Sequence, residues 1–314
     1  MYLKRILPLN LFEAIDRAGI SSTKEIMILS ILDIKRLTRM HSKDIQFVKN
    51  IVSDHISAKS FTCRELLVKN CKISTGCSKI DDILGGGFRT GTINEIFGES
   101  GSGKTQLVLY TSIHNLSKCS VYICTEDLFP AKRFNQIMNS IKSRDQDYGK
   151  NVFVEHISEA KDLQFCIRMQ LPKLLQQNIV SLIVIDSIAA PFRVESTDYV
   201  QRAGELRELA IMLITLAQQY NIAIVCINQV TASFADSDSI HPALGLAWSN
   251  MVSTRLKISK TTQSVIIDDS GVCKSDSGGQ NKLFAREISV VFAPDLANSS
   301  TLFTITSNGI QSID

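Results

Sequence analysis

A chain of 314 residues exceeds the usual single domain, so one large domain plus a small one is expected. Its 44% apolar and 21% charged residues exclude a disordered polymer, and a net charge of +3 is too small to announce nucleic-acid binding by itself. Residues 1–57 carry nine Lys/Arg against six Asp/Glu, so the basic surplus sits at the start of the chain. That bias suits either polyanion contact or an ordinary solvated helical surface.

Residues 1–10 are apolar with two basic side chains, but no long apolar core or small-residue cleavage site follows, so no signal peptide is expected. The most apolar internal stretch, 209–217, is half a membrane span, and no membrane partner is expected. Residues 1–57 read as a helical N-terminal domain. Leu11, Ile15 and Ala18 recur at helical spacing, Ser21, Ser22 and Thr23 can cap the next helix, and further apolar runs follow at Ile26 to Ile31 and Ile45 to Val52. Four or five short helices so joined resemble a helix-hairpin-helix unit. Residues 58–74 lack a clear period and read as a linker.

From Thr75 to the end, short apolar runs alternate with longer helical ones. Strands are predicted at 92–97, 121–125, 152–157, 180–186 and 222–228, with helices at 104–116, 130–141, 160–177 (kinked at Pro172) and 201–220. That alternation predicts an α/β core with a mostly parallel sheet covered on both faces. Three later strands near 253–260, 286–292 and 301–306 extend it, and 275–279 reads as a mobile loop. The eight cysteines show no CxxC and no metal spacing, and read as reduced thiols of a cytosolic or nuclear protein.

Gly98-Glu99-Ser100-Gly101-Ser102-Gly103-Lys104-Thr105 satisfies GxxxxGK(S/T) between a strand and a helix. Glycines let backbone N–H groups approach phosphate oxygens, Lys104 supplies a cation to the β/γ-phosphates, and the Thr105 hydroxyl can bind magnesium. The predicted ligands are ATP and Mg2+. Asp186, ending an apolar strand, is the expected second metal ligand. Glu126, ending another, is the candidate base, with Asp127 as competitor or helix cap. Asn228-Gln229 ends a third strand, where an amide can sense a terminal phosphate.

These strand ends, with Ser74-Thr75-Gly76, Gly85-Gly86-Gly87, Glu95-Ile96-Phe97-Gly98-Glu99, Ile183-Val184-Ile185-Asp186-Ser187 and Asn228-Gln229-Val230, resemble the RecA-type recombinases, especially their eukaryotic and archaeal strand-exchange branch. Within that branch, Val121 to Pro130, Ile188 to Arg193 and Pro242 to Trp248 are similar to a paralogue that forms no filament of its own and supports homologous recombination repair. The resemblance implies a RecA-like core and a DNA-repair ATPase acting in a heteromeric complex in the nucleus, also in the cytoplasm. The implied partners are another recombinase paralogue, the main strand-exchange recombinase, and single-stranded or branched DNA. A structural adaptor whose ATP site only stabilises an assembly is the alternative.

By the same resemblance, Lys104, Thr105, Asp186, Glu126 and Gln229 take the family's phosphate, magnesium, base and sensor positions, and Arg133 takes that of a residue packing on adenine, unless it only caps a helix or pairs on the surface. Two loops, at about 194–202 and 231–242, would approach DNA, with Arg193, Tyr199 and Arg202 at the first. Two departures argue against self-assembly into a long filament. The second loop carries Asp236 and Asp238 with no Lys or Arg, and Phe292-Ala293-Pro294 stands where the family has an Asp-x-Pro cap over a neighbour's ATP. Phe61-Thr62-Cys63-Arg64 lies where recombinases carry a Phe-x-x-Ala hook for a neighbour's pocket, so Phe61 is the implied partner hook, with Arg64 in place of the small Ala.

Overall fold

A computed structural model describes residues 3–57, 62–65, 71–115, 118–141, 148–192, 199–232, 240–267, 273–275 and 283–313. The chain divides into two compact units, Met1–Leu67 and Val68–Asp314. In the first, α1 (Leu3–Ile6), α2 (Leu9–Arg17), α3 (Thr23–Ile28), α4 (Ile31–Thr38) and α5 (Ser42–Ile56) bury Ile15, Ile26, Ile34, Ile45, Val48 and Val52 completely. Ser22 and Glu25 start α3 with a reciprocal capping box, each side chain accepting the other's backbone N–H at 3.1 Å.

The second unit opens with β1 (Lys72–Ile73), α6 (Ser78–Ile83) and β2 (Phe88–Arg89), where β1 and β2 pair antiparallel. The tail of the expected linker is therefore part of the core; two residues are too short a run to show a period. The main elements follow: β3 (Thr92–Phe97), α7 (Lys104–His114), β4 (Cys119–Cys124), α8 (Ala131–Ser140), β5 (Val152–His156), α9 (Ala160–Phe165), α10 (Leu171–Gln177), β6 (Val180–Asp186), α11 (Tyr199–Tyr220) and β7 (Ala223–Asn228). Between α9 and α10, Cys166–Gln170 is π-helical. Pro172 has no N–H to give the Arg168 carbonyl, and the turn just before it is widened accordingly.

After β7 come the small ribbon β8 (Val230–Ala232) and β9 (Ile240–Pro242), then α12 (Gly245–Ser249), β10 (Thr254–Ile267), β11 (Cys273–Ser275), β12 (Leu283–Phe292), β13 (Ser300–Thr306) and β14 (Gly309–Ser312). Ser275 ends β11, and the rest of the expected mobile loop lies outside the described residues.

The sheet runs β14-β13-β12-β10-β3-β7-β6-β4-β5, with β11 on β10. It is parallel from β10 to β5 and antiparallel from β10 to β14. Side-chain alternation sorts the two faces. Ile183, Ile185 and Ile224 pack under α9, α10 and α11, whereas Leu182, Val184 and Val225 pack under α6, α7 and α8. Burial on both sides explains why these strands read as continuous apolar runs. Among the described residues, no helix is long and apolar enough to cross a membrane.

Candidate functional site

The carboxyl ends of β3, β4, β6 and β7 surround a cavity of about 530 Å³. Gly98, Ser100, Gly101, Lys104, Thr105, Tyr122, Glu126, Asp186 and Gln229 are among the residues that line it. The turn from β3 into α7 admits only glycine where it is tightest. A Cβ on Gly98 would stand 2.1 Å from the Ile258 carbonyl oxygen, and one on Gly103, at φ +111°, would stand 2.7 Å from the Ile305 side chain.

Lys104 reaches back over the loop, donating to the carbonyls of Gly98 at 2.7 Å and Glu99 at 2.9 Å. Burial pulls its ammonium below the usual lysine range, opposed by the carboxylates of Asp186 and Glu99. Asp186 Oδ2 accepts from the Thr105 hydroxyl and the Tyr122 hydroxyl, each at 2.8 Å. Burial raises the Asp186 pKa, and these two donors, with the nearby Lys104, work against that rise. Thr105 and Asp186, 81 positions apart in sequence, thus form one oxygen pair at the foot of the loop. Hard oxygen donors beside a glycine-rich loop of inward amides suit Mg2+, which takes one or two protein ligands and leaves the rest to other oxygens. Among the described residues, no three His, Cys, Asp or Glu side chains cluster as a self-sufficient metal cage.

Gln229 donates to the Glu126 carboxylate at 2.6 Å, joining the ends of β7 and β4 across the cavity. Asp127 also lines it. Ser100 faces the cavity, whereas the Ser102 hydroxyl is buried and makes no hydrogen bond among the described residues. Arg133 is not among the lining residues. Its guanidinium donates to the side chains of Gln106 and Gln136 and to the carbonyls of Thr306 and Ser307, locking α8 to the β13–β14 turn.

The sequence reading missed the support beneath these groups. Glu95 on β3 is fully buried and accepts from Asn228 at 2.7 Å, from the Trp248 indole at 2.8 Å and from Arg255. Asn228 also donates to the Ala243 carbonyl and accepts the Gln229 N–H, each at 2.8 Å, so the network fixes the backbone of the sensor position. A charged residue inside the apolar run before the phosphate loop is the signal that exposes Glu95. Nothing local announces Trp248 or Arg255. Tyr122 was equally silent as a partner of Asp186.

Of the expected DNA contacts, Tyr199 is 76% exposed at the start of α11, with the Arg202 guanidinium 5.0 Å above its ring. Arg202 also lines a second cavity, about 400 Å³, with Phe192, Val230, Ala243 and Gln229, so Gln229 borders both cavities. Arg193 and Phe61 lie outside the described residues, as do Asp236 and Asp238. Seven described cysteines are free. Burial pushes the Cys124 thiol up to about 12 and that of Cys166 to about 11, which keeps both protonated and unreactive.

The Rad51 family model matches residues 66–313. The Mus musculus protein described as DNA repair protein XRCC3 is 31% identical over 95% of this chain and 94% of its own length. An Arabidopsis thaliana DNA repair protein XRCC3 homolog is 31% identical over 78% of this chain and 94% of its own. DNA repair protein rhp57 of Schizosaccharomyces pombe is 26% identical, covering 94% of each.

Proposed function

Because the chain belongs to the Rad51 family, we propose that it is an ATP-binding recombinase paralogue that supports homologous recombination repair within a heteromeric paralogue complex. The observation that carries this is the convergence of Lys104, Thr105, Asp186, Glu126 and Gln229, from four strand ends, on one cavity. Lys104 and the amides of the loop from Gly98 to Thr105 hold the triphosphate, and Thr105 with Asp186 holds magnesium. Magnesium, when bound there, would offset phosphate charge and act as a Lewis acid toward the phosphoryl oxygens.

Glu126 orients the attacking water, and Gln229 holds that carboxylate in place. Gln229 borders both the nucleotide cavity and the one lined by Arg202, so a change at the phosphate end reaches the DNA-facing loops in a single side chain. Arg133, its plane fixed by four acceptors outside the cavity lining, would meet adenine only if the base extends past that lining. Tyr199, Arg202 and Arg193 contact single-stranded or branched DNA weakly, because Asp236 and Asp238 repel its backbone. Slow, DNA-dependent hydrolysis follows, with ATP acting chiefly as a switch at a subunit interface. Repair of chromosomal DNA would require it in the nucleus, and the reading includes a cytoplasmic pool as well.

The second reading, a structural adaptor, is separated by Lys104→Ala in the complex co-purified with its recombinase partner. Losing a charge-assisted contact of about 3 kcal/mol lowers ATP affinity about 100-fold. We expect the complex to stay assembled while repair in complemented cells fails. Intact repair would leave the adaptor, and a folded wild-type complex that retains no labelled ATP would end the nucleotide reading.

A further inference from the structure

Two cations outside the phosphate-binding motif reach the loop from the antiparallel side of the sheet. Lys260 on β10 and Arg286 on β12 stand directly opposite each other in register. A Cβ built on Gly101 would lie 3.5 Å from Lys260 Nζ, and one on Gly103 would lie 3.2 Å from Arg286 Cδ. Both side chains therefore lie against the loop, one at its tip and one beneath its last glycine. Lys260 also pairs with Glu99 at 3.6 Å, both side chains nearly half exposed. Arg286 donates to the Phe284 carbonyl at 3.2 Å, but its Nε is buried with no acceptor among the described residues.

Each feature is unfavourable taken alone. Like charges opposite one another on neighbouring strands repel. A buried donor without a partner is costly. Glu99 has the wrong sign for a loop that cradles a polyanion. A half-exposed ion pair at 3.6 Å is weak, so Lys260 can leave Glu99 at little cost. A polyphosphate at the loop reverses the balance, since it adds several negative charges within reach of both cations.

We infer that Lys260 is a nucleotide-binding residue in the same chain, which exchanges Glu99 for the terminal phosphates, while Arg286 backs the loop electrostatically from beneath Gly103. The inference rests on the nucleotide reading above and adds that the site grades its ligands by phosphate number through residues outside the motif.

The test is a fluorescence titration of the purified full chain, with its partner, using N-methylanthraniloyl-labelled ATP, ADP and AMP. Lys260→Met should weaken ATP about tenfold, as expected for one lost charge contact, weaken ADP less and leave AMP unchanged. Lys260→Arg should hold ATP within about threefold of wild type, and Glu99→Gln should tighten it. The double variant Glu99→Gln, Lys260→Met decides between direct contact and mere neutralisation: persistent weakness supports contact, and recovery to wild-type affinity overturns it. Unchanged ATP affinity in Lys260→Met, with a normal melting temperature, also overturns it. If wild-type protein takes up no ATP, the nucleotide reading fails first and this inference goes with it. That result is distinct from binding that is simply indifferent to Lys260.

Discussion

The ends of β3, β4, β6 and β7 and the start of α11 face the same functional question with opposite construction. At the strand ends the polar groups are held by partners: Glu95 is 0% exposed with three, half-buried Asp186 takes two hydroxyl donors, and exposed Glu126 accepts from Gln229. At the start of α11, Tyr199 and Val200 are 76% and 82% exposed, and Arg202 leans on the Tyr199 ring. The enclosed region owes its geometry to the sheet, so it is built before any ligand arrives. The exposed region offers chemical groups and leaves their arrangement to the ligand. The two regions meet at one side chain, Gln229, which borders both cavities.

The contrast breaks most readily at Glu95. Replacing it with Ala leaves the Arg255 charge and the Trp248 and Asn228 donors buried without their acceptor, which should cost about 3–5 kcal/mol in urea denaturation. Glu95→Gln, which keeps an acceptor oxygen, should cost less. A loss below about 1 kcal/mol for Glu95→Ala would mean that the enclosed region does not depend on this network.

Asp186 sharpens the comparison through pH. Its folded pKa is raised by burial above the ordinary 3.8, so the folded protein holds this proton more tightly than the unfolded chain does. Its contribution to stability is present below that ordinary value and is lost as pH rises through the raised one. Without nucleotide or metal, Asp186→Asn should therefore melt progressively higher than wild type as pH climbs from about 4 to 7. The same variant should lose magnesium-dependent ATP retention. A melting difference that stays flat with pH would contradict the burial argument.

The exposed region should show the smallest effect. Tyr199→Ala should weaken single-stranded DNA about fivefold, the lower end of one stacking contact, and leave ATP affinity unchanged. Arg202→Ala should flatten the salt dependence of DNA binding by about one unit of slope. If either change weakened ATP as much as DNA, the two regions would not be separate.

What the sequence disclosed follows the same division. β3 and β6 read to the residue, because strands buried on both faces must be continuously apolar and cannot slip. The glycine turn before α7 and the placement of Asp186 were legible because each is local to one turn or one strand end. Glu95 and Arg255 lie 160 positions apart, so their pairing exists only in the folded topology. Lys260 and Arg286 were hidden likewise, since only antiparallel register brings them together under the loop. β1 fell inside the expected linker because two residues cannot display a period, and the Phe61 hook lies outside the described residues.

β3 is bonded on both edges, to β7 along its whole length and to β10 over its last four residues. Its amides can trade hydrogen for deuterium only when the entire core opens, whereas β14, bonded on one edge, can fray early. The loop after β3 thus hangs from a strand paired on both edges, where slow exchange is expected. Partial unfolding at the β14 edge would therefore leave the loop after β3 in place.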